Sequence, residues 1–145
     1  MTTDARPFGT ALIGQTEKAL NAILDRHLAG TGISEPQWVT LTLAAASGGT
    51  NERDDLIRRV IGAARISRES AETRIAELAT SGFLRENDGR VEVTGEGQAR
   101  WSDVRAALAP ITRELWSGLP DGDLATAGRV LGVVLDRANA ILSAA

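Results

Sequence analysis

Apolar positions recur at helical spacing along most of this chain, and the repeat lapses in one short region past its middle. From about Phe8 to Ala29, residues Leu12, Ile13, Leu20, Ile23, Leu24 and Leu28 follow one helical stripe. Gly30 and Gly32 end it, because glycine tolerates the positive φ of a helix C-terminus. Next comes "SEPQW": Ser34 is a good N-cap, Pro36 suits a first turn, and Gln37 completes a capping box. The second helix this opens carries Trp38, Leu41 and Ala45 on one face. "SGGTN", Ser47 to Asn51, reads as the plainest loop in the chain. A third helix starts near Glu52 and turns Leu56, Val60 and Ile61 inward, and Gly62 with "AARI" leads on to Ser67. Ser67 caps a fourth helix that reaches about Thr80 and buries Ala71, Ile75 and Leu78.

The period changes at Gly82. Phe83 to Glu86 and Arg90 to Val93 read as two short strands around "NDG", where a tight turn needs positive φ. Thr94 then caps a long helix, roughly Gly95 to Ser117, with Trp101, Val104, Leu108, Ile111 and Leu115 along its stripe. Pro110 inside it predicts a kink or a break. "GLPDGD" is a turn, and a last helix runs from about Leu124 to Leu142. The order is α-α-α-α-β-β-α-α. A lone hairpin is marginal unless it packs on helices, and here it follows two short, tightly joined helices. The expected fold is therefore mainly α with a small β-hairpin wing, a winged helix-turn-helix.

Composition narrows the function classes. The 145 residues favour one domain, and 43% hydrophobic content provides a core. There is no Cys and a single His, which excludes disulfides, thiolate chemistry and His-rich metal sites. No catalytic constellation or phosphate-binding glycine loop is visible, so an enzyme is not expected, and no cofactor is. "MTTDARPFGT" lacks the apolar centre of a signal peptide, and no run approaches the length of a membrane span. The expected location is the cytoplasm. The net charge of −3 argues against a general polyanion binder, though not against a local basic surface.

In a helix-turn-helix the second helix lies in the major groove with its first residues at base edges. For the helix from Ser67, the outward residues include Arg68, Ser70, Thr73 and Arg74. Arg can hold guanine through two hydrogen bonds, Ser or Thr can bond a base or phosphate, and the helix N-terminus attracts phosphate. A tip carrying Asp88 and Arg90 would reach the neighbouring backbone or minor groove. Taken singly, each arginine is more often just solvated; the helix-helix-hairpin context is what singles these out. From Glu52 to Arg100, however, nine arginines stand against ten acids. DNA binding therefore requires the two signs to be sorted onto different faces, or it is weak and salt-sensitive.

With the hairpin placed, the chain resembles the MarR family of multiple-antibiotic-resistance regulators nearly end to end. "GISEPQWVTL" (Gly32 to Leu41) is similar to that family's segment into the second helix. "SRESAETRIAELATSGFL" resembles its recognition helix and following glycine, and "VTGEGQAR" its Leu-Thr-x-x-Gly segment after the wing. "LPDGDLATAGRVL" resembles its last helix. The resemblance implies a homodimer, with residues 1–30 and 98–145 as dimerisation helices and 34–97 as the DNA-binding lobe of a single MarR-like domain. It also implies double-stranded DNA as partner, a pseudo-palindromic operator, usually repression, and release by a small aromatic or anionic effector. Asp88-Gly89-Arg90 matches the family's Asp-x-Arg wing tip, but the wing is several residues shorter. Thr73 stands where the family often has Arg, and the path from Leu56 to Ser67 is about one turn longer than expected. His27 and Trp38 are candidates for the effector pocket, each with a competing reading: a partly buried hydrogen-bonded polar residue for His27, a core anchor for Trp38. The balanced charge keeps a second function open, a MarR-like dimer acting as a ligand-binding or protein-interaction module with weak or lost DNA binding.

Overall fold

The structure, a computed structural model, describes residues 6–144. The first half of the "MTTDARPFGT" terminus, and the outermost residues of both expected dimerisation segments, lie outside the described residues. Six helices and three strands follow in the order α1 (Thr10–Leu28), α2 (Glu35–Ala46), β1 (Thr50–Glu52), α3 (Arg53–Ala64), α4 (Arg68–Thr80), β2 (Leu84–Asn87), β3 (Arg90–Val93), α5 (Gly95–Trp116) and α6 (Asp121–Ser143).

The punctuation residues act as the sequence implies. The Ser34 hydroxyl accepts from the Gln37 N–H while the Gln37 side chain accepts from the Ser34 N–H, a complete capping box at α2. Ser67 caps α4 by accepting from the Ser70 N–H at 3.1 Å. At the other end of α4, Gly82 takes φ +86°, and the Gly82 and Phe83 N–H groups return to the Ala79 and Leu78 carbonyls. This is a Schellman stop, and it needs a residue without Cβ strain at Gly82. Asp88 and Gly89 both have positive φ, as a two-residue type I′ hairpin requires.

Three features depart from the sequence reading. The first is a third strand. Thr50 and Asn51, expected in a loop, belong to β1, which pairs antiparallel with β3 to give a sheet of order β1-β3-β2. A three-residue strand carries too little alternation to stand out from a Gly-Gly turn, and its pairing partner lies 40 residues away. The second is the length of α3, which runs through Gly62 to Ala64. The surplus turn between Leu56 and Ser67 is thus helix, and only Arg65, Ile66 and Ser67 connect α3 to α4. Arg65 closes α3 in the left-handed region (φ 53°), which costs a side-chain-bearing residue about 1 kcal/mol. The third concerns Pro110: of the kink or break expected there, the break does not occur, since α5 runs through it as one helix.

Residues up to Ala109 form one compact unit and those from Pro110 a second. The core of the first is Leu41 and Ala44 of α2, Leu56, Ile57 and Val60 of α3, Ala71, Ile75 and Leu78 of α4, with Phe83, Leu84, Val91 and Val104 closing it. Ala44, not Ala45, and Ile57, not Ile61, are the fully buried positions on their helices. The Trp101 indole N–H donates to the Thr42 hydroxyl at 3.1 Å, so α5 is tied to α2. The start of α5 is pressed against the base of the wing. Thr94 accepts from the Gly97 N–H and donates to the Gly82 carbonyl, and its own N–H donates to the Phe83 carbonyl. Gly97 is buried there, and a Cβ on it would stand 2.1 Å from the Phe83 carbonyl oxygen.

The second unit has a different character. None of the described residues of α6 is buried, although Val130, Leu131, Val133, Val134, Leu135, Ile141 and Leu142 lie along it. Trp116, at the end of α5, is 48% exposed. In the first unit, α1 buries only Leu28, and Phe8 before it is 60% exposed.

Gly97→Ala should lower stability by roughly 1–3 kcal/mol, because the obstacle is backbone that cannot rotate away. Gly62→Ala, a helical glycine with open space at its Cβ, should raise it by up to about 1 kcal/mol. Urea denaturation of the two variants beside wild type checks both signs.

Candidate nucleic-acid interface

Short local sequence places the first group of candidates together. Ser67, Arg68 and Ser70 occupy the cap and first turn of α4, with Thr73 one turn on. The Ser67 hydroxyl donates to the Ser70 hydroxyl at 3.1 Å, and the Thr73 hydroxyl donates back to the Glu69 carbonyl of its own helix. All of these lie at the surface, Ser70 partly covered. The Arg68 side chain is held from two sides: one Nη donates to Asp54 on α3 at 2.9 Å, and Nε donates to Glu72 on α4 at 3.0 Å. The Asp54 hydrogen bond, opposed by desolvation and aided by the Glu72 hydrogen bond, raises the Arg68 pKa above the ordinary guanidinium value. Arg74 is more sheltered and lies 3.2 Å from a Glu77 carboxylate oxygen.

The second group sits on the wing. Asp88 is the first turn residue, and Arg90 begins β3. Strand register puts Arg85, Asn87, Arg90, Glu92, Thr50 and Glu52 on the outer face, opposite the buried Asn51, Val91 and Leu84. Across the strands Arg90 stands between Asn87 and Glu52, and Glu92 between Arg85 and Thr50. Arg85 and Arg90 are exposed and form no ion pair among the described residues.

The first turn of α3 joins the two groups, and sequence reasoning missed its part in this. The Arg53 N–H donates to the Gly89 carbonyl at the wing tip at 2.8 Å, and the Arg53 guanidinium pairs with Glu86 at 2.9 Å. The adjacent Asp54 reaches Arg68. Hence "NERDD" contacts the wing through Arg53 and α4 through Asp54. The wing tip is docked on the helix-turn-helix rather than projecting as a free hairpin.

Asn51 and Arg59 fix the other end of the wing. Asn51 is buried in β1, and its side-chain amide donates to the Ala44 carbonyl at 3.1 Å and the Val91 carbonyl at 3.4 Å. Its oxygen accepts from Arg59 at 2.6 Å. Arg59 also donates to the Leu43 carbonyl and the Ser47 hydroxyl, so one guanidinium joins α2, β1 and α3. A shallow open groove over this knot is lined by Ser47, Asn51, Asp55, Arg58 and Arg59, but its two arginines are already engaged, Arg58 by Asp55.

The effector-pocket candidates lie apart from two open grooves at the surface. Trp38 is part of the core with Leu28, Ile33 and Leu41, which is its core-anchor reading. The His27 Nδ1 lies 3.0 Å from the Ile23 carbonyl of its own helix. Neither residue lines the groove over Arg59 or the second groove beside Gly82 and Thr94. No cluster of His, Asp and Glu suited to a metal occurs among the described residues, and no described helix is long and apolar enough to cross a membrane.

Comparison with solved structures identifies the fold as that of MarR-family transcriptional regulators. A MarR-family regulator from Rhodococcus sp. RHA1 superposes with a TM-score of 0.68 at 18% identity, over 86% of this chain and 89% of that one. CouR from Rhodococcus jostii RHA1, bound to p-coumaroyl-CoA, gives 0.72 at 16% identity over 86% and 89%. A MarR-family protein of Mycobacterium tuberculosis in complex with salicylic acid gives 0.58 at 17% identity over 85% and 94%. No family model matches the chain, and no curated protein matches it.

Asn51→Ala would leave the Ala44 and Val91 carbonyls and the Arg59 guanidinium short of partners. A loss of roughly 1–3 kcal/mol is expected, from the cost of unsatisfied buried polar groups. Amide hydrogen exchange at Val91 and Val93 should speed up more than at Ile75, because the wing loses its anchor while α4 keeps its own core contacts.

Proposed function

We propose that this chain is a homodimeric, DNA-binding transcriptional regulator of the MarR type. The observation that carries the reading is the α3–α4 pair, joined by three residues and followed directly by a sheet, within a fold shared with such regulators. In this reading residues 34–97 are the DNA-binding lobe and α4 enters the major groove. Ser67 and Ser70 meet phosphate or base edges near the helix start, with Arg68, Thr73 and Arg74 as side-chain contacts. The exposed Arg90, with Arg85 beside it on the outer sheet face, approaches the backbone next to the groove, and Asp88 shapes the tip. Because the tip is docked on α3, wing contacts are expected to be phosphate contacts, not deep insertion into the minor groove.

The bare apolar length of α6 supports the dimer. Seven large apolar residues at 39% exposure or more on one helix are far from a solvated surface, and a twofold interface would cover them. Residues 1–30 and 98–145 are assigned to that interface, and location in the cytoplasm follows from a DNA partner. Repression is the expected sign of regulation. Since fold neighbours are bound to p-coumaroyl-CoA and to salicylic acid, an aromatic, anionic effector is the class to test, with His27 and Trp38 as starting points.

A second reading has its own observation. Arg68 and Arg74, the two cations on the reading helix, are both paired with carboxylates. A dimer that binds a ligand or a protein, with weak DNA affinity, would look the same.

A salt-titrated mobility shift with DNA from upstream of the gene separates the two. The regulator reading expects a discrete shift, preferred over unrelated DNA. Binding that shows no sequence preference at low salt would sink it. Arg90→Ala should weaken all sequences alike and reduce the salt slope by about one, whereas Arg68→Ala should relax preference at particular base pairs. For the dimer, Leu131→Glu should halve the mass seen by sedimentation or, where assembly is obligatory, abolish folding; an unchanged dimer would move the interface elsewhere.

A further inference from the structure

We propose that Asp54 and Glu72 form a carboxylate clasp on Arg68 that competes with DNA and so sets the affinity of the reading helix. The inference rests on the DNA-binding reading of α4. Arg68 is the first residue of that helix, where side chains meet the groove. Its guanidinium can grip guanine or phosphate bidentately only through two N–H groups on one edge. Of its two bidentate edges, the one carrying Nε is taken, Nε by Glu72 at 3.0 Å and the neighbouring Nη by Asp54 at 2.9 Å, so DNA must either displace a carboxylate or bind on the Nη–Nη edge with both acids beside it. Arg53, Arg58 and Arg74 are each paired with one carboxylate.

The two acids come from different helices, so the clasp depends on the tertiary fold and not on local sequence. Asp54 lies 14 residues from Arg68 and is set beside it by the three-residue connection between α3 and α4. Its neighbour Arg53 is pinned to the wing tip, which holds the first turn of α3 in place. All three side chains of the clasp are 40–57% exposed. At such exposure each ion pair is weak and can be exchanged for another acceptor.

DNA must supply that acceptor. A random duplex offers phosphates, which replace two carboxylates with one partner of like charge while Asp54 and Glu72 stay close by and repel it. A duplex that places a guanine edge under Arg68 offers two neutral acceptors in the right geometry. The clasp therefore penalises non-specific binding more than specific binding, a repulsive element that favours the correct sequence.

The test measures binding of the full-length protein to a labelled random-sequence duplex at fixed low salt. Wild type is compared with Asp54→Asn, Glu72→Gln, Arg68→Ala and the double variant Asp54→Asn/Arg68→Ala. Asp103→Asn, an exposed acid on α5, controls for net charge. Thermal melts confirm that each variant is folded. Asp54→Asn and Glu72→Gln should each tighten binding about three- to tenfold, well beyond Asp103→Asn. The double variant should bind no more tightly than Arg68→Ala, because the gain is routed through Arg68. Equal gains from Asp54→Asn and Asp103→Asn, or a gain that survives without Arg68, would overturn the clasp and leave the DNA-binding reading intact. If no protein in the set binds the duplex at all, with the clasp opened or closed, the clasp is overturned, while the DNA-binding reading is judged separately on the upstream DNA.

Discussion

The side chain of Asn51 fixes how the wing sits on the helical core. It is buried, and its amide joins a carbonyl at the end of α2 to one in the central strand β3, while its oxygen receives Arg59 from α3. A polar group at that depth is tolerated only because its hydrogen bonds are made, and making them fixes its neighbours. Two neighbouring helices and a strand 40 residues beyond Asn51 are thereby given one relative placement. The sheet is small, with three residues in β1 and four each in β2 and β3, and such a sheet is marginal without packing of the kind Leu84, Val91 and Asn51 provide. With Asn51 in place, Val91 faces inward, Arg90 and Arg85 face outward, and the tip meets the first turn of α3.

Much of this was legible in the chain, and the reason is physical. Ser34, Ser67, Gly82 and the Asp88-Gly89 turn each solve a local backbone problem that few residue types solve, so their identity gives their place. The buried faces of α2, α3 and α4 followed from spacing alone, except that Ala44 is buried in place of its neighbour Ala45 and that Ile57, one turn before the partly buried Ile61, does not stand out. What could not be read was non-local. Thr50 to Glu52 has the composition of a turn and becomes a strand only because β3 offers it an edge. Gly62 is a weak helix residue, yet α3 continues through it, with Ile57 and Val60 of the preceding turns held in the core.

The candidate interface divides in the same way. Which residues cluster at the start of α4 and at the wing tip came directly from local order, and the structure does place Ser67, Arg68 and Ser70 on one turn. How their charges are disposed did not. A count of nine arginines against ten acids says nothing about partners, and the acids were not simply turned away. Asp54, Glu72, Glu77 and Glu86 are ion-paired with Arg68, Arg74 and Arg53. An i,i+4 pair such as Arg68 with Glu72 lies within reach of sequence reasoning. A pair across two helices, such as Arg68 with Asp54, depends on the crossing geometry and is visible only in the fold. Trp38 shows a similar limit, because a large aromatic on an amphipathic helix serves a core and a pocket wall equally well until its neighbours are known.

The docking of the wing tip also bears on how such a protein can change over time. The Gly89 carbonyl accepts the Arg53 N–H, one of the free donors at the start of α3. The turn is thus the cap of a helix as well as the end of a hairpin. An inserted residue there would lengthen the reach of the wing and, in the same step, uncap α3 and shift Asp54 away from α4. Wing length in this chain is tied to a helix in its own interior, and a longer wing could arise only together with a new way of starting α3.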